Sequence, residues 1–314
     1  MLCTLAKTFP DFVGRFLEQG LALRRRFREE TVTDLLMGTL MTAAGGRVIV
    51  EFPNEPQTGA DMEWNFVDTR TRAFFRLVIQ AKQAYGVGAI WSRHCYREIY
   101  HTSGSGSILQ AQTLCDTART SVATYPLYLF YHPQSTIDLA RNRGKQKIEG
   151  VNVADGYEIE RLVKGAKGRR LRTQNRSLKT IAPLLSPLSS LFCPSSALPM
   201  SPAAYVGRRP TLLLVQNLDG RPYLGIPIPP DPVTIRDRVA IIREAREASL
   251  DKVAGAHIAS DDAYTDWPEV PQVSNVIPKD IEEVLESRGR SPATRLNRWR
   301  LTFISTTSFS ESGS

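Results

Sequence analysis

The residues best placed for chemistry are an acid that opens one apolar run and an amide and an ammonium that close the next. Asp61 stands in TGADMEWNFV, and Gln80 and Lys82 end AFFRLVIQAK. Both runs read as strands, whose side chains alternate between faces. Asp61, Glu63 and Asn65 therefore share one side of the first, and Gln80 and Lys82 one side of the second. The turn between them, DTRTR, is short, and in an antiparallel hairpin the start of one strand lies beside the finish of the next. A carboxylate, an amide oxygen and an ammonium then meet at one sheet end. A hard divalent cation, Mg2+ or Mn2+, takes carboxylate and carbonyl oxygens, and a lysine beside it can orient a water and offset charge on a phosphate. The chemistry is metal-assisted phosphodiester hydrolysis. Taken alone, a strand ending in Gln-x-Lys reads more simply as one that has reached solvent.

The elements that must hold these groups follow from periodicity. Residues 11–28 place Phe12, Phe16, Leu17, Leu21 and Leu23 at roughly helical spacing, and 30–44 form a second helix stopped by Gly45-Gly46. The period then changes to that of strands at 47–52, 61–67 and 74–81, expected as a three-stranded meander. After HTSGSGS come a helix over 107–120, with Ser107 as N-cap, and a strong strand at 125–132. The order is helix, three strands, helix, strand, an α/β core with a mixed sheet flanked by helices.

With an acid opening the second strand and a (D/E/Q)-x-K closing the third, this order resembles the core of the PD-(D/E)XK superfamily, the restriction-endonuclease-like fold. The Gln-x-Lys form is similar to Mrr-type restriction endonucleases. More narrowly, the chain resembles a family of functionally uncharacterised bacterial proteins that share EFPNEPxTGADMEW and QAKQAYG. The wider resemblance covers about 28–135 and implies a Mg2+-dependent endonuclease acting on DNA, duplex above all, in a bacterial restriction or anti-phage system. By position, Asp61 matches the metal-binding acid, Gln80 the second acid, Lys82 the catalytic lysine and Glu30 an acid supplied by the preceding helix. The Ala81 backbone carbonyl would join the metal ligands, with Glu51 and Glu63 as further carboxylates nearby. Two departures stand out: Ala60 precedes Asp61 where the motif has proline, and Gln80 is a neutral ligand. A catalytically inactive nucleic-acid-binding or scaffold protein of the same fold is the alternative, and a protein-interaction module is the third reading. A homodimer and a partner protein from a defence operon are associations the resemblance brings with it.

Composition agrees with a polyanion as partner: 40 Lys and Arg against 32 Asp and Glu give a formal net charge of +8. The basic run 164–179 contains Lys164, Lys167, Arg169, Arg170 and Arg172 and no acid, and reads as a tract for the DNA backbone. His101, Ser103 and Gln110 are the remaining candidates for nucleic-acid contact. The four cysteines form no CxxC pair, so free thiols in a reducing cytoplasm are expected. No stretch approaches the roughly 20 apolar residues that span a bilayer. The core domain is expected over 1–150 and a basic α+β extension over 151–255, with a helix at 155–165, a hairpin around Asp219-Gly220 and a helix capped by Asp231. A weakly ordered tail is expected over 256–314.

Overall fold

The computed structural model describes residues 2–23, 27–43, 47–51, 61–86, 88, 90–102, 108–166, 168–193, 213–216, 222–225, 229–250, 268–289 and 298–305. The chain opens with α1 (Leu2–Ala22) and α2 (Glu29–Ala43), followed by β1 (Val48–Glu51), β2 (Met62–Asp68) and β3 (Ala73–Gln83). Two 3-10 turns, Trp91–Arg93 and Arg97–Tyr100, lead to α3 (Gln110–Thr120), β4 (Thr124–Tyr131), α4 (Gln134–Arg141), β5 (Val151–Asp155) and α5 (Gly156–Lys164). Next come α6 (Arg169–Asn175), α7 (Leu178–Ile181), β6 (Ser186–Pro187) and α8 (Ser189–Phe192). The last elements are β7 (Leu213–Gln216), β8 (Pro222–Gly225), α9 (Pro232–Leu250), α10 (Lys279–Ser287) and β9 (Trp299–Ile304).

Among the described residues the main sheet has seven strands in the order β1-β9-β2-β3-β4-β5-β6. It is mixed: β2 is antiparallel to β3, and β3 is parallel to β4. Alternation divides its side chains between two cores. Met62, Trp64, Phe66, Leu77, Leu129 and Phe303 pack with α1, α2, α8 and α9, whereas Val78, Tyr128, Phe130 and Ala154 pack with α3, α5 and α7. The molecule is thus an α/β protein with helices on both faces of one mixed sheet.

The hairpin of β2 and β3 forms as its alternation and short turn require, with Met62 opposite Ile79 and Asp68 opposite Ala73. Three features of the sequence reading are corrected. The three-stranded meander is interrupted, because β9 lies between β1 and β2, antiparallel to the first and parallel to the second. The expected loose tail over 256–314 therefore contains an interior strand, second from the sheet edge, whose Leu301 and Phe303 are fully buried, and also α10. The free thiols at Cys3 and Cys193 are also corrected: the two are joined in a disulfide, while Cys95 and Cys115 are free.

Local chemistry accounts for several boundaries. Asp155 caps α5 by accepting from the amides of Tyr157 and Glu158, and Asp231 accepts from the Thr234 amide at 3.1 Å with Pro232 as the first residue of α9. α1 begins nine residues earlier than the periodicity at 11–28 suggests, and Pro10 sits inside it. The carbonyl of Pro10 lies so close to Gly150 that a Cβ there would be 1.9 Å from it, so α1 can approach the start of β5 only across glycine. The hairpin expected around residues 219 and 220 is present as β7 and β8, though the turn residues 217–221 lie outside the described ones.

Candidate active site

Asp61 stands one residue before β2, and its amide donates to the Ile79 carbonyl at 2.9 Å, continuing the hairpin ladder. That register brings its side chain against the end of β3. Asp61 Oδ2 accepts from Gln80 Nε2 at 2.6 Å and from the Ala81 amide at 2.7 Å. Gln80 and Lys82 are buried on the same face. Lys82 Nζ lies 3.5 Å from Glu29 Oε1, and Glu29 Oε2 accepts from the Gln83 amide at 3.0 Å. Three residues nominated from sequence, Asp61, Gln80 and Lys82, thus converge at one sheet end. The acid that α2 delivers to Lys82 is Glu29, while Glu30 is exposed. Glu30, one position on, points elsewhere because of the helical rotation of about 100° per residue, yet stays near enough to repel the Asp61 carboxylate.

Burial governs the electrostatics. Desolvation pushes the Glu29 carboxyl up to about 8 despite the nearby Lys82 ammonium, with Asp61, Glu98 and Glu30 adding repulsion. Asp61 is also raised, mainly by burial, against the lowering effects of Lys82 and the Ala81 amide. Gln80 Oε1 is buried with no hydrogen-bond partner among the described residues. Tyr128, opposite Gln80 in the parallel register of β3 and β4, is likewise buried, its hydroxyl unpartnered among the described residues. Burial holds its phenol well above the usual range, so it remains a proton donor. Sequence reasoning missed Glu29 and Tyr128. The signal for Tyr128 was the alternation in YPLYLFYH, which places it on the face of Gln80 once the strands are aligned.

Other nominated residues are placed elsewhere. Ala81 meets Asp61 through its amide rather than its carbonyl. Glu63 is enclosed by Arg300 at 3.0 Å, Arg298 at 3.2 Å and Arg76 at 3.5 Å, and Glu51 lies 3.8 Å from Arg300. Despite desolvation, those arginines hold the Glu63 carboxyl below its ordinary value. Its charge is already compensated, so Glu63 and Glu51 belong to an ion network rather than to the Asp61 cluster. Lys164 pairs with Glu160 at 2.6 Å. Arg169 and Arg172 border a surface cavity, Arg170 is exposed, and Gln110 heads α3. His101 is exposed, whereas Ser103, Ser107 and Lys167 lie outside the described residues. His94 and His132 are buried and fully bonded, His94 to Thr136 and Gly88, His132 to Tyr96 and Glu149.

Among the described residues no group of three or more His, Cys, Asp or Glu is close enough to hold a metal ion. The donors that fit a hard cation are two desolvated carboxylates, Asp61 and Glu29, and the unpartnered oxygen of Gln80. The chain belongs to DUF6615, a family of unknown function that matches residues 2–310. No curated protein and no solved structure matches it. No helix among the described residues is long and apolar enough to cross a membrane.

Proposed function

We propose that the chain is a Mg2+-dependent endonuclease that hydrolyses DNA phosphodiester bonds, with a restriction-endonuclease-like core. The observation that carries this reading is the convergence of Asp61, Gln80, Lys82 and Glu29 at the end of the hairpin of β2 and β3. Asp61 and the Gln80 oxygen would hold the cation, which when bound supplies charge neutralisation at the phosphate. Lys82 orients the attacking water and offsets the charge that builds on the phosphoryl oxygens. Glu29, poised near neutrality in its proton affinity, takes the proton of that water as its oxygen bonds to phosphorus. The phosphorus–oxygen bond to the leaving sugar breaks, and the released alkoxide takes a proton from solvent. The net positive charge of the chain supports a polyanionic substrate. A defence role rests on the family resemblance; the cytoplasmic setting expected from free thiols is not supported by the Cys3–Cys193 disulfide.

One observation favours a second reading, a non-cleaving nucleic-acid-binding protein of the same fold: Asp61 Oδ2 is engaged by two protein donors. The two are separated by incubating the purified protein with supercoiled plasmid in Mg2+ and in EDTA. The nuclease reading expects nicking in Mg2+ that EDTA abolishes; salt-sensitive DNA binding without nicking would leave the binding protein.

A further inference from the structure

We infer that the chain carries a second anion site, built for a nucleotide phosphate group bearing more than one negative charge, in the cavity bordered by Arg97, Tyr100, Arg169, Arg172 and Arg176. The cavity has a volume of about 500 Å3, and among the described residues no acid lines it. Elsewhere in the fold buried or half-buried arginines meet carboxylates: Arg76 and Arg300 meet Glu63, and Arg119 meets Glu160. Arg97, Arg169, Arg172 and Arg176 pair with no acid among the described residues. Four guanidiniums around one concavity repel one another and raise a positive potential that an anion relieves. Their planar forks suit phosphate oxygens in pairs.

The walls are built rather than incidental. Arg169, Arg172 and Arg176 fall at i, i+3 and i+7, one side of a helical turn, and Arg170 falls away from them. Gly168 enters this turn at φ 86° and ψ 162°, a conformation essentially restricted to glycine. The Arg97 guanidinium lies 5.5 Å from the centre of the Tyr85 ring, and that of Arg172 lies 5.7 Å from that of Tyr100. The two sides are tied together, since Cys95 bridges both Tyr85 and Ser177 and the Tyr96 amide donates to the Arg176 carbonyl at 2.9 Å. Arg176 Nε is buried without a partner among the described residues.

Charge and size define the ligand class. A backbone phosphodiester brings one charge, whereas four arginines match a phosphomonoester, diphosphate or triphosphate. The volume falls within the roughly 300–1,000 Å3 of small-molecule sites. Such a group is carried by a free nucleotide or by the phosphorylated end of a strand. The pocket shares no residue with the Asp61 cluster, so it stands apart from the nuclease reading. It is nevertheless a neighbour, because Glu98, next to Arg97, is near enough to Glu29 to raise its proton affinity.

The test is calorimetric titration of the full-length protein, without divalent cations, with pyrophosphate, ATP, and one oligonucleotide with and without a 5′-phosphate. Pyrophosphate and ATP are expected to bind, and Arg172→Glu and Arg169→Glu, both at exposed positions, each to weaken binding at least tenfold. Lys145→Ala, at an exposed position outside the cavity, should leave it unchanged. Tighter binding of the 5′-phosphorylated strand than of ATP would identify a strand end as the source; the reverse would identify a free nucleotide. No binding of pyrophosphate or ATP, or binding that survives both charge reversals, would overturn the site. An outcome of oligonucleotide binding indifferent to the 5′-phosphate, with ATP unbound, would do the same by reducing the arginines to a backbone tract.

Discussion

At the scale of single residues, Glu29 and Glu63 show how similar carboxylates acquire opposite properties. Glu63 is surrounded by guanidiniums and ionises more readily than usual; Glu29 has one ammonium and mostly loses water, so it holds its proton up to about 8. A raised carboxyl means the folded state binds the proton more tightly than the unfolded chain. Its contribution to stability is present in full below the ordinary value of 4.5 and is lost as pH rises through about 8. Glu29→Gln removes that dependence. Thermal melts across this range should show the wild type losing stability relative to the variant as pH rises. Parallel curves would contradict the assigned burial of the charge. Lys82 cannot be treated as an exposed side chain, because its loss would leave Glu29 and Asp61 buried without their nearest cation.

At the scale of elements, the hairpin was legible because both its strands carry strong local signals and the turn is short. The helix before it was legible to within one residue, and that residue is Glu29, the acid that reaches Lys82. What could not be read was β9. WRLTFI is a short run with no adjacent partner, and its place between β1 and β2 is fixed by contacts more than 200 residues away, such as Arg300 with Glu63. The Cys3 and Cys193 pairing was hidden for the same reason, since spacing carries no sign of a contact across 190 residues. Phe303 tests the insertion. It is fully buried and stacks on Phe66 with ring centroids 4.7 Å apart. Phe303→Ala should cost about 3–5 kcal/mol in denaturant unfolding, the range for truncating a buried aromatic. A loss below about 1 kcal/mol, the size of an ordinary surface substitution, would remove β9 from the core.

At the scale of the whole molecule, the first helix, the middle of the chain and its last strand are held together across long sequence distances. The disulfide closes a loop of 190 residues, which by chain entropy alone is worth roughly 5 kcal/mol. Reduction by a thiol should therefore lower the melting temperature, and Cys3→Ser should reproduce the reduced value without reductant. Identical melts in the two redox states would show that the bond does not constrain the unfolded chain. The central claim, however, concerns the acid at the end of the hairpin. Burial already raises the Asp61 carboxyl, so the neutral isostere Asp61→Asn should fold with a melting temperature close to that of the wild type. It would nevertheless lack the anionic metal ligand. The decisive measurement is the rate of Mg2+-dependent plasmid cleavage by this variant, which should fall by about 100-fold or more, the scale of losing one preorganised electrostatic group. Cleavage at the wild-type rate by folded Asp61→Asn would contradict the account.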